Sequence, residues 1–208
     1  MNNRGPIIYI VDDDASVRRA LSLLLKSHRF KVETFMCAAD FLAFKHFKLP
    51  SCLVLDIQLP DINGLMLQDA MAARQLAIPI IFITGHGDIP MSVKGMKAGA
   101  IDFLPKPFTE KKLLNAVTQA ISKNKIQIKE SAEISKIKRR IKTLSPRELE
   151  VFKLVAKGML SKQIAFKRGT SLQTIKVHRG RVMQKMRAKT VTELIRFSQK
   201  ADVISSQQ

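Results

Sequence analysis

The sequence predicts two folds in tandem: an α/β doubly wound five-stranded parallel sheet, then a small all-α domain. Three observations carry this. Short apolar runs alternate with helical patterns as far as residue 122. Several of those runs are apolar on both faces, as strands covered on both sides by helices are. From Leu144 onward the apolar spacing is wholly helical.

The strands, in order, are "IIYIV" (7–11), "KVETF" (31–35), "CLVL" (52–55), "IPIIFIT" (78–84) and "IDFL" (101–104). Helices are expected between and after them, at 15–27, 38–46, 64–76, 89–98 and 109–122. Five such β/α units make a parallel sheet with helices on both faces. The site of such a fold lies at the carboxyl ends of its strands, around the point where strand order reverses. Residues 124–143, "NKIQIKESAEISKIKRRIKT", are polar and basic, with Ile134, Ile137 and Ile141 at helical spacing. They read as a partly helical linker, either pairing with its own copy in a dimer or simply solvated. Helices then follow at 146–157, 162–168, 172–187 and 191–200. Ser145, Pro146 and Glu148 form a capping box with proline at the first helical position, and Thr190 with Glu193 repeats that logic. Gly158 and Gly169 fall where helices should end. Four short helices fit a bundle containing a helix-turn-helix. The domains are thus 1–123, a linker at 124–143, and 144–208.

At 46% hydrophobic, the 208 residues can bury a proper core, and no apolar run approaches the ~20 residues that span a membrane. "MNNRGP" has no signal-peptide cleavage pattern, so a cytoplasmic protein with no membrane partner is expected. Cys37 and Cys52 lack metal-ligand spacing and read as buried free thiols. Net charge is +19 and unevenly spread. Residues 1–123 hold 15 Lys+Arg against 11 Asp+Glu, whereas 124–208 hold 21 against 6. The second part therefore faces a polyanion, which composition alone leaves as nucleic acid or anionic membrane.

Asp12, Asp13 and Asp14 follow strand one, Asp56 strand three, Thr84 strand four, and Lys106 strand five. Singly, each is a turn former, a cap or a solvated side chain. Together they are chemically coherent. Carboxylates at a strand edge suit a hard cation such as Mg²⁺. A phosphoryl group moving onto a carboxylate needs metal, ammonium and hydroxyl donors around its oxygens. Asp56 fits the nucleophile, Thr84 the hydroxyl donor and Lys106 the fixed cation.

Residues 6–122 resemble the receiver domain of two-component response regulators, through "VDDD", "LDIQLPDINGL", "FITGHGD" and "AGAIDFLPKPF". The resemblance implies that Asp56 accepts phosphate from a histidine kinase, and that Asp12, Asp13, Asp56 and the Gln58 backbone carbonyl hold Mg²⁺. It places Thr84 and Phe103 at the family's switch positions and makes the Lys106–Pro107 bond cis. Asp14 is left as a helix cap. "DDDAS" also satisfies the first motif of haloacid-dehalogenase-like phosphatases, with Asp12 as nucleophile. That reading needs a further acidic pair at a strand end, which the sequence lacks, so the chain is not expected to be an enzyme beyond its own phosphotransfer and dephosphorylation.

Residues 144–200 resemble the LuxR-type helix-turn-helix, through "LSPRELEVFKLVAKG", "SKQIA", "GTSLQTIKVHRGRVMQKM" and "TVTELIRF". With the receiver, the whole chain resembles FixJ/NarL-type regulators. On helix 172–187, Ile175, His178, Val182 and Met186 share an inward face. Gln173, Val177, Gly180, Arg181 and Gln184 lie opposite, with Lys176 on the flank and Thr174 in the first turn. These are the DNA-reading candidates. Lys162 and Lys185 are candidates for phosphate, as are Lys167 and Arg168. His178 is expected to be packed and hydrogen-bonded, and Arg179 to reach backbone or phosphate. The family commonly has an apolar residue and a glycine where Arg168 and Arg187 stand. The implied function is kinase-driven phosphorylation that promotes a homodimer, binding of double-stranded DNA and regulation of transcription, with RNA polymerase as a further partner. The alternative is a DNA-binding regulator whose receiver is controlled without phosphate.

Overall fold

The computed structural model describes residues 5–85 and 89–203. The chain divides into two compact units, one ending at Ile128 and the other starting at Lys129.

In the first unit, β1 (Ile7–Val11), β2 (Lys31–Phe35), β3 (Ser51–Asp56), β4 (Ile80–Thr84) and β5 (Asp102–Pro105) form one sheet in the order β2-β1-β3-β4-β5. Every pairing is parallel. Alternation sorts the strand residues. Tyr9, Val11, Leu53, Leu55 and Phe82 pack on one face, with Phe41 of α2 (Ala38–Ala43) and Leu67 and Met71 of α3 (Gly64–Ala73). Ile8, Ile10, Val54, Ile81 and Ile83 pack on the other, with Leu21 and Leu25 of α1 (Ala15–Ser27) and Leu113 and Val117 of α5 (Glu110–Ile141). β1, β3 and β4 are buried along their whole length, while β2 is the largely exposed edge. That matches the two-sided apolarity expected of several strands.

Two helices stop earlier than their apolar spacing suggested. α2 ends at Ala43, because Phe44 turns extended and, with Phe47, packs against Tyr9, Phe35 and Phe41. Aromatic burial there outweighs continued helix. α3 ends at Ala73, and Gln75 adopts the left-handed region at φ 56°. α4 spans Ile89–Lys97. α5 runs from Glu110 to Ile141, through most of the segment expected as a linker. Its first part covers the sheet, and Asn124, buried, accepts from the Ser51 amide and donates to the Ala77 carbonyl. Its Ile137 belongs to the core of the second unit.

That unit contains α6 (Pro146–Ala156), α7 (Ser161–Lys167), α8 (Leu172–Met186) and α9 (Val191–Lys200) around Phe152, Ile164, Ile175, Val182, Met186 and Leu194. The Ser145/Glu148 capping box forms as expected. At α9 it is only half made. The Glu193 amide donates to Thr190 Oγ1, but the Glu193 carboxylate accepts from Lys189, one residue too early. Gly158 and Gly169 adopt φ values of 81° and 58°, the left-handed exits that glycine permits. Arg187 ends α8 in the same region, at φ 53°, without glycine's freedom.

Candidate functional site

The acidic site assembles where four strands end. Asp12 lies just beyond β1, Asp56 closes β3, Thr84 closes β4, and Lys106 follows β5. Asp12, Asp56 and Thr84 are buried. The Lys106 ammonium lies 3.0 Å from Asp12 Oδ2 and 3.4 Å from Asp56 Oδ2. Oxygens of Asp12, Asp13 and Asp56 lie within 4.8 Å of one another. One ammonium thus pairs with two of three clustered carboxylates.

The electrostatics follow from that imbalance. Burial pushes the Asp56 carboxyl above the usual carboxylate range, Lys106 pulls it back, and Asp12 adds to the push. Burial opposes the Lys106 charge, yet the hydrogen bond and attraction from Asp12, with Asp56 adding to both, raise its pKa. Asp56 Oδ1 is buried and, among the described residues, has no hydrogen-bond partner. A buried acceptor left unmade costs about 1–3 kcal/mol, so such an atom is held for another donor or a cation. Three oxygen donors, one of them unsatisfied, fit a hard divalent cation.

Local sequence explains the placement. Asp14 caps α1, accepting from the Ser16 and Val17 amides at 2.7 and 3.4 Å, and the bond from the Ser16 hydroxyl, followed by that from the Ser16 amide, holds its carboxyl below the usual range. The cap predicted for the third aspartate is therefore present, and Asp12 and Asp13 are left to the site. Gly64 sits where a Cβ would lie 2.6 Å from the Asp56 carbonyl oxygen, so only glycine lets α3 start against the end of β3. The Lys106–Pro107 bond is cis, as expected. Gln58 follows in the β3–α3 loop and is exposed. The Phe103 ring is half-buried, its centroid 6.0 Å from that of Phe82. Residues 86–88 of the "FITGHGD" stretch lie outside the described residues.

Two supporting residues were not singled out from the sequence. Arg18 donates to the Asp12 carbonyl at 2.7 Å. Asp61 accepts from the Ala38 and Ala39 amides and so caps α2 from a loop more than twenty residues away. α2 has no cap of its own, since Cys37 makes no side-chain capping bond, and that gap was the available signal.

In the second unit, Gln173, Thr174, Lys176, Val177, Gly180, Arg181 and Gln184 are all exposed on α8, while Ile175, Val182 and Met186 are buried. Lys162 is exposed on α7. Lys185 is engaged elsewhere: its ammonium lies 2.6 Å from the buried Glu148 carboxylate and donates to the Thr143 carbonyl. That bond, followed by the Ser145 amide, holds the Glu148 carboxyl below the usual range. Arg168 pairs with Glu150 at 2.6 Å, and Arg179 donates to Ser161 Oγ at 3.1 Å. His178 is half-buried, and its Nδ1 has no hydrogen-bond partner among the described residues, where a packed, hydrogen-bonded residue was expected.

Among the described residues, no helix is long and apolar enough to cross a membrane. Cys52 is buried and Cys37 partly so, both as free thiols.

Comparison with known proteins agrees with both halves. The family model described as the response regulator receiver domain matches residues 8–118, and that of the luxR family of bacterial regulatory proteins matches residues 142–198. Nodulation protein W of Bradyrhizobium diazoefficiens is 45% identical over 93% of this chain and 85% of its own length. The transcriptional regulatory protein FixJ of the same organism is 38% identical over 99% of this chain and 100% of its own. Among solved structures, the response regulator StyR superposes with a TM-score of 0.79 at 42% identity, covering 94% of this chain and 98% of that one. The chain belongs to the response-regulator family, as a transcription regulator that joins a receiver domain to a LuxR-type DNA-binding domain.

Proposed function

We propose that Asp56 is the phosphoacceptor, and that phosphorylation there by a histidine kinase promotes dimerisation and sequence-specific DNA binding. The observation that carries this is the buried Asp56 carboxylate beside Lys106, whose Oδ1 has no hydrogen-bond partner among the described residues. A carboxylate oxygen of Asp56 attacks the phosphorus of a phosphohistidine. The P–O bond forms as the P–N bond breaks, and the leaving imidazole takes up a proton. Lys106 offsets charge on the phosphoryl oxygens, and the Thr84 hydroxyl donates to them. Asp12, Asp13, Asp56 and the Gln58 carbonyl would hold Mg²⁺, which when bound neutralises phosphoryl charge.

The added charge biases Thr84 and Phe103 toward a second arrangement, and the surface of α4, β5 and the first part of α5 then favours a partner receiver. Two linked weak binders gain affinity on a two-fold-related site without any new base contact. Gln173, Thr174, Lys176, Val177, Gly180, Arg181 and Gln184 read the major groove, with Lys162 on phosphate. RNA polymerase is the expected partner at the promoter, and the cytoplasm the expected compartment. The test is a gel-shift titration with and without acetyl phosphate, on wild type and Asp56→Ala. Acetyl phosphate should tighten binding of the wild type alone. Equal affinity in all four conditions overturns the reading.

A further inference from the structure

Within the second unit, Lys136, Arg139, Arg140 and Thr143 of the α5 end meet Lys185 and Arg187 of the α8 end around a hollow of about 460 Å³. Five cations line it and no carboxylate does. Helix polarity explains part of this. The carboxyl ends of both helices attract positive charge, and two of the cations are bonded to them: Arg140 donates to the Met186 carbonyl at 3.1 Å, and Lys185 to that of Thr143 at 3.1 Å. Lys185 is also neutralised by Glu148. That account does not reach Lys136, Arg139 and Arg187, all exposed and none with a carboxylate within 4 Å among the described residues. Glu133, one turn before Lys136, is taken by Lys200.

Arg187 is the telling residue. It holds a left-handed backbone that glycine would adopt without a Cβ clash, yet an arginine stands there, on the rim of a hollow already crowded with like charge. Uncompensated cations around one hollow call for an anion. Nothing aromatic lines it, so it offers no surface on which a nucleobase would stack. It also adjoins the exposed face of α8, because Arg181 lies one turn before Lys185.

We infer that this hollow takes a phosphodiester of the DNA backbone, extending the contact surface of α8 to the end of α5. The inference rests on the reading of α8 as the DNA-binding helix. Phosphate contacts of this kind are independent of base sequence, so a duplex of arbitrary sequence suffices for the test. Binding of the full chain to such a duplex is followed by fluorescence anisotropy across a series of KCl concentrations. Each phosphate contact contributes about 0.9 to the slope of log affinity against log salt. Arg187→Gly should therefore lower that slope by about 1 while keeping or raising the unfolding temperature, a combination that a purely structural arginine does not produce. Arg139→Gln, on the exposed face of α5, should lower the slope likewise should the first variant not fold. Lys45→Gln, an exposed lysine of the first unit, controls for net charge and should leave the slope unchanged.

A second arm titrates inorganic phosphate without DNA. Wild-type binding with an unaltered slope in both hollow variants overturns the inference. Stabilisation by phosphate that Arg187→Gly abolishes, with the DNA slope unaltered, identifies a free-phosphate site and overturns it too. Failure of the wild type to bind any duplex overturns instead the DNA-binding reading on which it rests.

Discussion

The receiver and the helical unit both depend on charge, but they handle it in opposite ways. The receiver gathers Asp12, Asp13, Asp56 and Lys106 into one pit at the carboxyl edge of the sheet, leaves an excess of negative charge, and leaves a buried oxygen without a partner among the described residues. The helical unit pairs its buried acid fully, Glu148 with Lys185, and spreads its positive excess over exposed surface. The receiver keeps its charge imbalance buried, whereas the helical unit neutralises its buried acid and leaves its excess charge outside. The two regions should therefore break differently when probed.

The largest effect is expected in the receiver, at Gly64. A methyl there would meet the Asp56 carbonyl at 2.6 Å, against backbone that cannot give way cheaply. Gly64→Ala should cost about 3 kcal/mol, the upper end of overpacking penalties, and should abolish labelling by acetyl phosphate because Asp56 itself is displaced. Thermal unfolding and the labelling assay check this. A stable variant that still labels would mean that the close approach is not what places the acceptor.

The paired charge in the helical unit should respond less, and with a definite pH signature. Glu148→Gln should cost about 1–2 kcal/mol, below the cost of a fully buried pair because Lys185 is part-exposed. The Glu148 carboxyl is held below its ordinary value in the folded state. Its contribution is therefore fully present above the unfolded value, about 4.3, and is lost as pH falls through the folded value. Amide exchange in α6 and α8 between pH 6 and pH 3 should show protection falling steeply in wild type and more shallowly in Glu148→Gln. Parallel curves would remove Glu148 as the source.

The same contrast decides how much was legible beforehand. The receiver site could be read residue by residue because each member sits at the end of an apolar run, and the parallel sheet brings those ends together: Asp12, Asp56, Thr84 and Lys106 are placed by strand position alone. The pairing of Lys185 was not legible because its partner, Glu148, lies 37 residues away on another helix. No local pattern shows a long-range pair. Asp61 escaped for the same reason, capping α2 across 22 residues. The extent of α5 was obscured by its polar composition beyond residue 123. Ile137 is buried only because the second unit supplies the surface that covers it, and periodicity cannot report a covering surface.

The smallest effect falls on α8, at Gly180, and separates stability from recognition. Gly64 has backbone 2.6 Å away, whereas a Cβ on Gly180 meets nothing within 4 Å, and the residue is exposed in mid-helix. Glycine there costs about 1 kcal/mol of helix stability relative to alanine. Gly180→Ala should therefore stabilise the helical unit by about that amount, raising its unfolding temperature, the opposite sign to Gly64→Ala. On the proposed reading of α8, a glycine at such a cost on the face of Gln173, Val177 and Gln184 lets the α8 backbone approach the duplex closely. Gly180→Leu should then retain the stability gain and lose DNA affinity, with a larger loss on a specific site than on an arbitrary duplex. If Gly180→Leu is both more stable and fully competent to bind its site, α8 does not lie close to the duplex at that residue, and the glycine has no role in recognition.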